Sequence, residues 1–379
     1  MAEKTVVMGP GKLARAPRWS LAGFLSRSSV PLFFAALCVV GMIAARLDVN
    51  FLARELIIRL GRNSFLVLSL LIPVTAGLGL NFGIVIGAMA GQAALVIITH
   101  YKMTGLPGFL LAAVIAAPLG ILFGWLTGMV LNRAKGREMV TSLILGFFAN
   151  GLYQLVFLVL VGTLIPMRNP VMMLPSGIGL RNTVDLIEVS YALDRALDRV
   201  WNGMISFQVG GFQVGPWRVP VMTLLVVAAL CVALSFLART RLGQQMRAVG
   251  QDMHIAEVAG INVNRVRIVA IIISTVLAAW GQLIFLQNIG TLNTYNSHEQ
   301  VGMFSIAALL VGGATTRRAT IWNALVGVLL FHTLFVVSPL AGQAIVGIPQ
   351  VGEYFRVFVA YGVIAVALAL HAWQSKIKK

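Results

Sequence analysis

The side chains that could do chemistry in this sequence are few and scattered. The five histidines, at positions 100, 254, 298, 332 and 371, share no spacing typical of a metal site, and no phosphate-binding glycine loop occurs. Cys38 and Cys231 each lie within an apolar run, which favours small buried hydrophobes over a disulfide or a metal pair. His332 is the one histidine deep in an apolar run, where a functional role and a packing role are both open. We therefore expect no metal, no bound cofactor and no catalysis by this chain itself.

One polar segment, residues 239–267, is patterned too regularly for a linker: RTRLGQQMRAVGQDMHIAEVAGINVNRVR. Polar and apolar residues alternate over 253–258, which predicts a short helix. Gly260 would follow it in the left-handed conformation that commonly ends helices. A short helix flanked by Gly243, Gly250 and Gly260 is what mechanical coupling to a soluble motor would need.

The composition predicts the elements that carry these residues. The 379 residues are 59% hydrophobic and 11% charged, with a mean hydropathy of +0.90, whereas about a quarter of the residues in a soluble domain are charged. Most of the exterior must therefore face lipid. The apolar runs are long and do not alternate with period two, which predicts transmembrane helices rather than a barrel. The net charge of +17 is ascribed to basic residues facing anionic lipids, and no nucleic acid partner is expected.

Apolar stretches of about 20 residues predict an all-α polytopic membrane protein of about ten helices. The predicted spans are 30–46, 64–80, 82–100, 108–131, 139–165, 219–238, 266–288, 301–314, 320–340 and 354–373. The run 66–98 is interrupted by Pro73 and five glycines, and the run 303–313 is short, so broken or re-entrant helices are expected there. The alternative is that these small residues only allow close packing between helices, which gives the same sequence pattern.

Basic residues orient the spans. A cytoplasmic N-terminus places 18 of the 29 Lys and Arg residues on the cytoplasmic side, Arg267, Arg317 and Arg318 among them, which favours an N-in/C-in topology by the positive-inside rule. The predicted organisation is a cytoplasmic tail at 1–29, a transmembrane domain at 30–373 with a periplasmic loop at 166–218 and a cytoplasmic loop at 239–265, and a cytoplasmic tail at 374–379.

Two segments outside the predicted spans have helical spacing. The predicted topology places Arg46, Arg54, Arg59 and Arg62 outside, as exceptions to the positive-inside rule. Residues 50–60 lie among them and are predicted either as an amphipathic helix on the membrane surface or as a loop. Residues 183–201, preceded by Asn182 and beginning at Thr183 as possible N-caps, are predicted as a short amphipathic helix.

The twelve acidic residues all fall at the ends of the predicted spans or in loops. A carrier driven by protons or sodium usually needs a carboxylate within the membrane to bind the coupling ion. The energy for transport is therefore expected to come from elsewhere, although a channel also fits.

Residues 256–260, Ala-Glu-Val-Ala-Gly, resemble the coupling loop of ABC importer permeases, whose core is Ala-x-x-x-Gly. His254 stands where that motif usually has an acidic residue, so the match is partial. Residues 246–250 and 260–262 extend the resemblance to the permease family of ribose, simple-sugar, nucleoside and branched-chain amino-acid importers. Residues 77–92, 315–318 and 347–349 carry it along the chain.

This resemblance implies a non-catalytic pathway subunit in the bacterial inner (cytoplasmic) membrane. ABC ATPase subunits that use ATP and Mg²⁺, a second permease subunit in a homo- or heterodimer, and a periplasmic or lipid-anchored substrate-binding protein would be its partners, with lipid around it. The residues implied to couple to the ATPase are Arg247, Gly250, Ala256, Glu257, Gly260, Ile261 and Asn262.

The substrate is expected to be a small polar solute. Asn81 stands where sugar-type members usually have Asp, and residues 81–83 and 91–92 are similar to nucleoside-type members. Since the spans lack charge, a simple sugar or a nucleoside is favoured over a branched-chain amino acid, and a stand-alone facilitator or secondary carrier is the alternative class. The residues expected to line the pathway, or else to join helices by hydrogen bonds, are Asn81, Gln92, Asn150, Gln154, Gln282 and Asn288.

Overall fold

A computed structural model describes residues 29–167, 169–198, 204–209, 212–358, 361–362 and 364–365. The helices in chain order are α1 (Ser29–Ala45), α2 (Val49–Ser69), α3 (Leu71–Thr75), α4 (Ile84–His100), α5 (Gly105–Arg133), α6 (Glu138–Leu155), α7 (Val221–Leu237), α8 (Arg241–Gln251), α9 (Met253–Val258), α10 (Val263–Ile289), α11 (Ser297–Val311), α12 (Ile321–Val346) and α13 (349–358). A π-helical turn, Val156–Leu160, continues α6.

Short strands accompany the helices. Strand β1 (Thr183–Asp185) pairs antiparallel with β4 (Thr291–Asn293), and β2 (Met204–Val209) pairs antiparallel with β3 (Phe212–Arg218). The first pair joins the 166–218 loop to the end of α10, because Val184 lies opposite Leu292.

Apolar helices long enough to cross a membrane confirm the polytopic α-helical class. In the described ranges five qualify, namely Val49–Thr75, α5, Glu138–Leu160, α10 and α12, and a sixth is reached if α7 and α8, bent by 74°, count as one span. Helices α1 and α4 are apolar but shorter. The predicted span 354–373 is described only in part. Ten spans and the N-in/C-in orientation therefore stay predictions.

Helix α10 is the centre of the bundle and packs against α5, α4 and α2. Glycines on the neighbours make this close approach possible. A Cβ added at Gly91 would lie 2.5 Å from the Ala279 carbonyl oxygen, and one added at Gly124 would lie 2.8 Å from the Ile272 Cα. The glycines thus allow close helix packing, and van der Waals contacts of this kind stabilise helix association in lipid.

The predicted break in the run 66–98 is confirmed. The chain leaves the helix after Thr75, and Gly77 and Gly79 adopt φ of 76° and 72°, a left-handed conformation that glycine enters without steric penalty. Helix α4 begins at Ile84. The freed backbone is buried inside protein, as the membrane interior requires.

Two predictions about surface segments need correction. Residues 50–60 are helical, but they belong to α2, so the span begins at Val49 rather than at 64. The predicted helix at 183–201 is wrong over the described residues, because 183–185 form β1 and 187–198 form turns. Here Val184, Leu186 and Val189 are buried by tertiary contacts. The backbone N–H groups of Leu186 and Tyr191 donate to carbonyls at the end of α10, 2.9 Å and 2.8 Å away.

Candidate functional site

A buried polar cluster joins α4, α6 and α11. His298, in the first turn of α11, is fully buried, with Nδ1 2.8 Å from Gln92 Oε1 and Nε2 2.8 Å from Asn150 Oδ1. The Asn150 amide nitrogen donates to the Glu299 carboxylate, so its oxygen faces His298. A neutral imidazole carries one N–H. Both ring nitrogens face amide oxygens, so the neutral ring donates to one of them, Gln92 Oε1 or Asn150 Oδ1, depending on the tautomer.

Two more side chains extend this cluster. Gln154 donates its Nε2 to Asn150 Oδ1 at 3.5 Å. The Tyr153 ring centroid lies 4.9 Å from that of His298, and its hydroxyl is buried without a hydrogen-bond partner in the described chain. We call Gln92, Asn150, Gln154, His298 and Glu299 the polar cluster.

The polar cluster lies well inside the bundle along α6. Asn150 is twelve residues after the first residue of α6, which is roughly 18 Å at 1.5 Å per residue. Glu299 is partly exposed and lies at the start of α11. In the sequence it stands just before the predicted span 301–314. The fold brings its carboxylate to Asn150, near the middle of α6.

An apolar cavity of about 470 Å³ borders the polar cluster. It lies between α4, α5 and α6, and Met89, Phe123, Tyr153 and Phe157 are part of its wall. Tyr153 belongs both to this wall and to the surroundings of His298. The arrangement offers apolar and aromatic surface beside amide, imidazole and carboxylate groups.

The remaining predicted pathway residues make no hydrogen bond to the polar cluster within the described chain. Gln282 on α10 is fully buried, and neither its amide oxygen nor its nitrogen has a hydrogen-bond partner within the described ranges. The Asn81 side-chain oxygen accepts from the Gly83 N–H at 2.9 Å, while its nitrogen is unpaired there. A buried unpaired amide costs about 1–3 kcal/mol, so both positions are candidates for a polar solute.

Asn288 belongs to a second cluster, which anchors the 166–218 loop. The buried carboxylate of Asp194 accepts from Asn288 Nδ2 at 2.6 Å and from Gln287 Nε2 at 2.9 Å, and Thr223 also donates to it. Arg62 Nη1 in turn donates to Asn288 Oδ1 at 3.1 Å. The structure thus gives Asn288 a role in holding the loop against α2, α7 and α10.

The short helix predicted over 253–258 is confirmed as α9. Asp252 caps it by accepting from the N–H groups of His254 and Ile255 at 2.8 Å and 3.0 Å. Gly260 ends it with a φ of 80°, as predicted. The apolar side chains of Ile255 and Val258 are 66% and 77% exposed.

The seven residues expected to couple to an ATPase fall into two groups. Arg247, Glu257, Gly260 and Asn262 are exposed, and Asn262 also caps α10 by accepting from the Arg265 N–H at 3.0 Å. Ala256 is buried, while Gly250 and Ile261 are partly buried. A Cβ on Gly250 would collide with the Thr75 carbonyl oxygen, so Gly250 allows α8 to touch the broken end of α3.

Sequence reasoning counted Arg267 among the cytoplasmic charges and missed its partner. The Arg267 side chain is fully buried, and its Nη2 lies 2.6 Å from Glu138 Oε1 at the start of α6. Its Nε donates to Asn132 Oδ1 at 3.0 Å, and its Nη1 lies 2.9 Å from the Met253 sulfur on α9. One guanidinium therefore connects α9, α10, the end of α5 and the start of α6.

His298 and Glu299 were also missed as site residues. In the sequence they are adjacent polar residues just before an apolar run, which is typical of a helix start. Asn150, one of the residues that they contact, lies almost 150 positions earlier in the chain. Nothing in the local pattern distinguishes such a pair from a solvated helix end.

Comparison with known protein families gives a match over most of the chain. The profile of the family described as branched-chain amino acid transport system / permease component matches residues 64–368. The chain is 28% identical over 178 residues to the nucleoside ABC transporter permease protein NupC of Lactococcus lactis, covering 42% of this chain and 53% of the relative.

Two further relatives have other names. The galactose/methyl galactoside import permease protein MglC of Salmonella typhimurium is 26% identical over 180 residues, 47% of this chain and 51% of the relative. The high-affinity branched-chain amino acid transport system permease protein LivH of the same species is 30% identical over 162 residues, which cover 39% of this chain and 50% of the relative. The chain thus spans about half the length of these relatives, and no solved structure matches it.

Proposed function

The chain belongs to the branched-chain amino acid transport system / permease component family, and from that premise we propose that it forms the translocation pathway of an ATP-driven ABC importer for a small polar solute. Its relatives are named as ABC permeases for nucleosides, galactose and branched-chain amino acids. The chain would catalyse nothing itself. ATP and Mg²⁺ would be used by a partner ATPase.

The observation that carries the proposal is the exposed apolar face of α9. Ile255 and Val258 would be costly to leave in water, and docking on a soluble ATPase would bury them. The same helix contacts Arg267 through Met253, and Arg267 holds Glu138 at the start of α6. Movement at α9 would therefore reach the helix that carries Asn150.

The other partners follow from the family. A second permease subunit, identical or homologous, would complete the pathway in the bacterial inner membrane. A periplasmic or lipid-anchored binding protein would deliver the solute to the side of the 166–218 loop. Asp194, held by Gln287 and Asn288, would keep that surface in place against α10.

The polar cluster supports a simple sugar or a nucleoside as the substrate. Its amides, imidazole and the Glu299 carboxylate suit hydroxyl and ring N–H groups, and the Tyr153 and Phe157 rings suit the apolar face of a ring. A zwitterionic amino acid would also need a cation for its carboxylate, and none of the five cluster residues is a Lys or an Arg.

The test of the coupling role is co-purification of the full chain with its ATPase. Two fully buried aliphatic side chains contribute about 3 kcal/mol or more, so changing Ile255 and Val258 together to aspartate should weaken the complex at least roughly a hundredfold. Ile187→Asp, at an 80% exposed position on the opposite loop, is the matched control. Unchanged ATPase binding by the double variant would contradict the docking role of α9.

A stand-alone secondary carrier is the second candidate, and one observation favours it. The fold brings the Glu299 carboxylate against Asn150, so an acidic group is available inside the bundle after all. Liposomes containing only this chain separate the two functions. Uptake of labelled sugar or nucleoside without ATP or partners would support the carrier, whereas uptake that requires ATPase, ATP and binding protein supports the importer.

A further inference from the structure

A cavity of about 590 Å³ lies on the side of the bundle that carries α8 and α9. Its wall includes Leu71 and Ile72 of α3, Leu234 and Leu237 near the end of α7, and Ile321 at the start of α12. Arg247, Arg317 and Arg318 also line it. The cavity therefore has an apolar wall made by span ends and a strongly cationic portion.

The three arginines are not neutralised by the cavity itself. No acidic residue belongs to its lining. Arg247 donates to the Ala238 carbonyl at the end of α7, while the guanidinium groups of Arg317 and Arg318 have no hydrogen-bond or ion-pair partner in the part of the chain that the structure describes. All three side chains are exposed. The positive charge is available to an anion.

The turn that carries two of these arginines is ordered. Thr315 Oγ1 accepts from the backbone N–H groups of Arg317 and Arg318 at 3.4 Å and 3.0 Å, and the Thr315 N–H donates to the Arg318 carbonyl at 2.8 Å. The ordered turn thus places two consecutive arginines in the cavity lining. Arginine binds phosphate oxygens with paired N–H donors, which a single ammonium group does not provide.

Trp322 and the neighbouring helix ends suit a position of the cavity at a membrane surface. Trp322, in the first turn of α12, is 76% exposed, and tryptophan is enriched where apolar spans meet the headgroup layer. Helix α7 ends and α12 begins there, and the basic residues are those of the predicted cytoplasmic side. Basic pockets between helices at this level suit anionic headgroups.

We propose that this cavity binds an anionic phospholipid of the cytoplasmic leaflet, with its phosphate paired to Arg247, Arg317 and Arg318 and its glycerol and upper acyl carbons against the apolar wall. A free phosphate would use the arginines but not the leucine and isoleucine wall. Helix α8 contributes Arg247 and Gly250 to the lining of this cavity, and it is followed directly by Asp252 and α9. The bound lipid would therefore contact the element that precedes the docking helix. The proposal does not depend on which solute is transported.

The test is native mass spectrometry of the purified full chain titrated with phosphatidylglycerol and with phosphatidylcholine of the same acyl chains. One arginine near a membrane surface contributes about fivefold in affinity for anionic lipid. The double variant Arg317→Gln/Arg318→Gln should therefore lose retained phosphatidylglycerol by roughly 25-fold. The control Arg133→Gln/Arg137→Gln removes the same charge from another cytoplasmic segment and should keep it.

Two further arms keep the outcome decisive. Arg317→Lys/Arg318→Lys retains the charge and should retain most of the lipid, which separates charge loss from misfolding. Millimolar inorganic phosphate should not displace phosphatidylglycerol. Equal loss in the Arg133/Arg137 control, unchanged binding in the glutamine variant, or displacement by phosphate alone would each overturn the lipid assignment.

Discussion

Replacing Arg267 by methionine removes the positive charge that faces the Glu138 carboxylate. The two groups are 2.6 Å apart, and their side chains are 0% and 10% exposed. Methionine keeps most of the apolar length of the side chain but none of its donors. Glu138 would then be buried without its counter-charge, and Asn132 Oδ1 would lose its donor as well.

The expected loss is large because the penalty comes from the partner left behind. Breaking a buried ion pair by removing one member costs about 3–5 kcal/mol, whereas replacing both members by neutral groups of similar size is often close to neutral. We therefore expect Arg267→Met to lower the free energy of unfolding by about 3–5 kcal/mol. The double variant Glu138→Gln/Arg267→Met should recover a large part of that loss.

The assay is reversible unfolding of the purified chain in mixed micelles, read as a double-mutant cycle between positions 138 and 267. A coupling energy of about 2 kcal/mol is expected for groups in one buried network. The exposed pair of Arg218 and Asp198, 4.0 Å apart with side chains 51% and 30% exposed, is the control. Its cycle should give about 1 kcal/mol or less.

A coupling energy within about 0.5 kcal/mol of zero at positions 138 and 267 would contradict a buried ion pair between Glu138 and Arg267. So would a loss in Arg267→Met no larger than that in Arg218→Met. Either result would mean that Glu138 reaches water, and that α9 is not tied to α6 through this guanidinium.

Three other changes test the remaining parts of the structure. Glu299→Gln keeps an oxygen acceptor for Asn150 but removes the charge that a solute hydroxyl would meet. The melting temperature should therefore change little, while uptake by the reconstituted complex should fall roughly ten- to hundredfold, since a solute hydrogen bond to a charged group is worth about 1.5–3 kcal/mol. Gly250→Ala forces a methyl group into the Thr75 carbonyl and should cost about 1–3 kcal/mol of stability in a thermal melt, and the open position Gly151, where an added Cβ meets nothing within 4 Å, should tolerate alanine. Asp194→Asn weakens the anchor of the 166–218 loop, so amide hydrogen exchange should speed up over 186–193 and stay unchanged over α9.

Local physics explains what could be read from the residues alone. Membrane embedding follows from composition, because too few charged residues exist to cover the surface with water-facing groups. The α9 helix and the turn at Gly260 were predictable because capping and left-handed glycine involve residues only a few positions apart. The break after Thr75 was predictable for the same reason.

Tertiary structure decided which polar residues meet. Gln92, Asn150 and His298 come from three helices, and only their packing brings the imidazole within 2.8 Å of both amides. Of the six residues expected in the pathway, the fold gathers Gln92, Asn150 and Gln154 in one cluster. It assigns Asn288 to the loop anchor and leaves Asn81 and Gln282 elsewhere in the interior.

The same distinction explains the errors. Residues 183–198 have helical spacing, yet their backbone is paired with the end of α10, because burial of Val184 and Leu186 there outweighs a weak local preference. Arg267 looked like one more cytoplasmic charge until α5, α6 and α9 enclosed it. Hydropathy and turn chemistry act within a few residues and are visible in the sequence, whereas ion pairing and polar clustering depend on the packing of helices far apart in the chain, which only the folded structure determines.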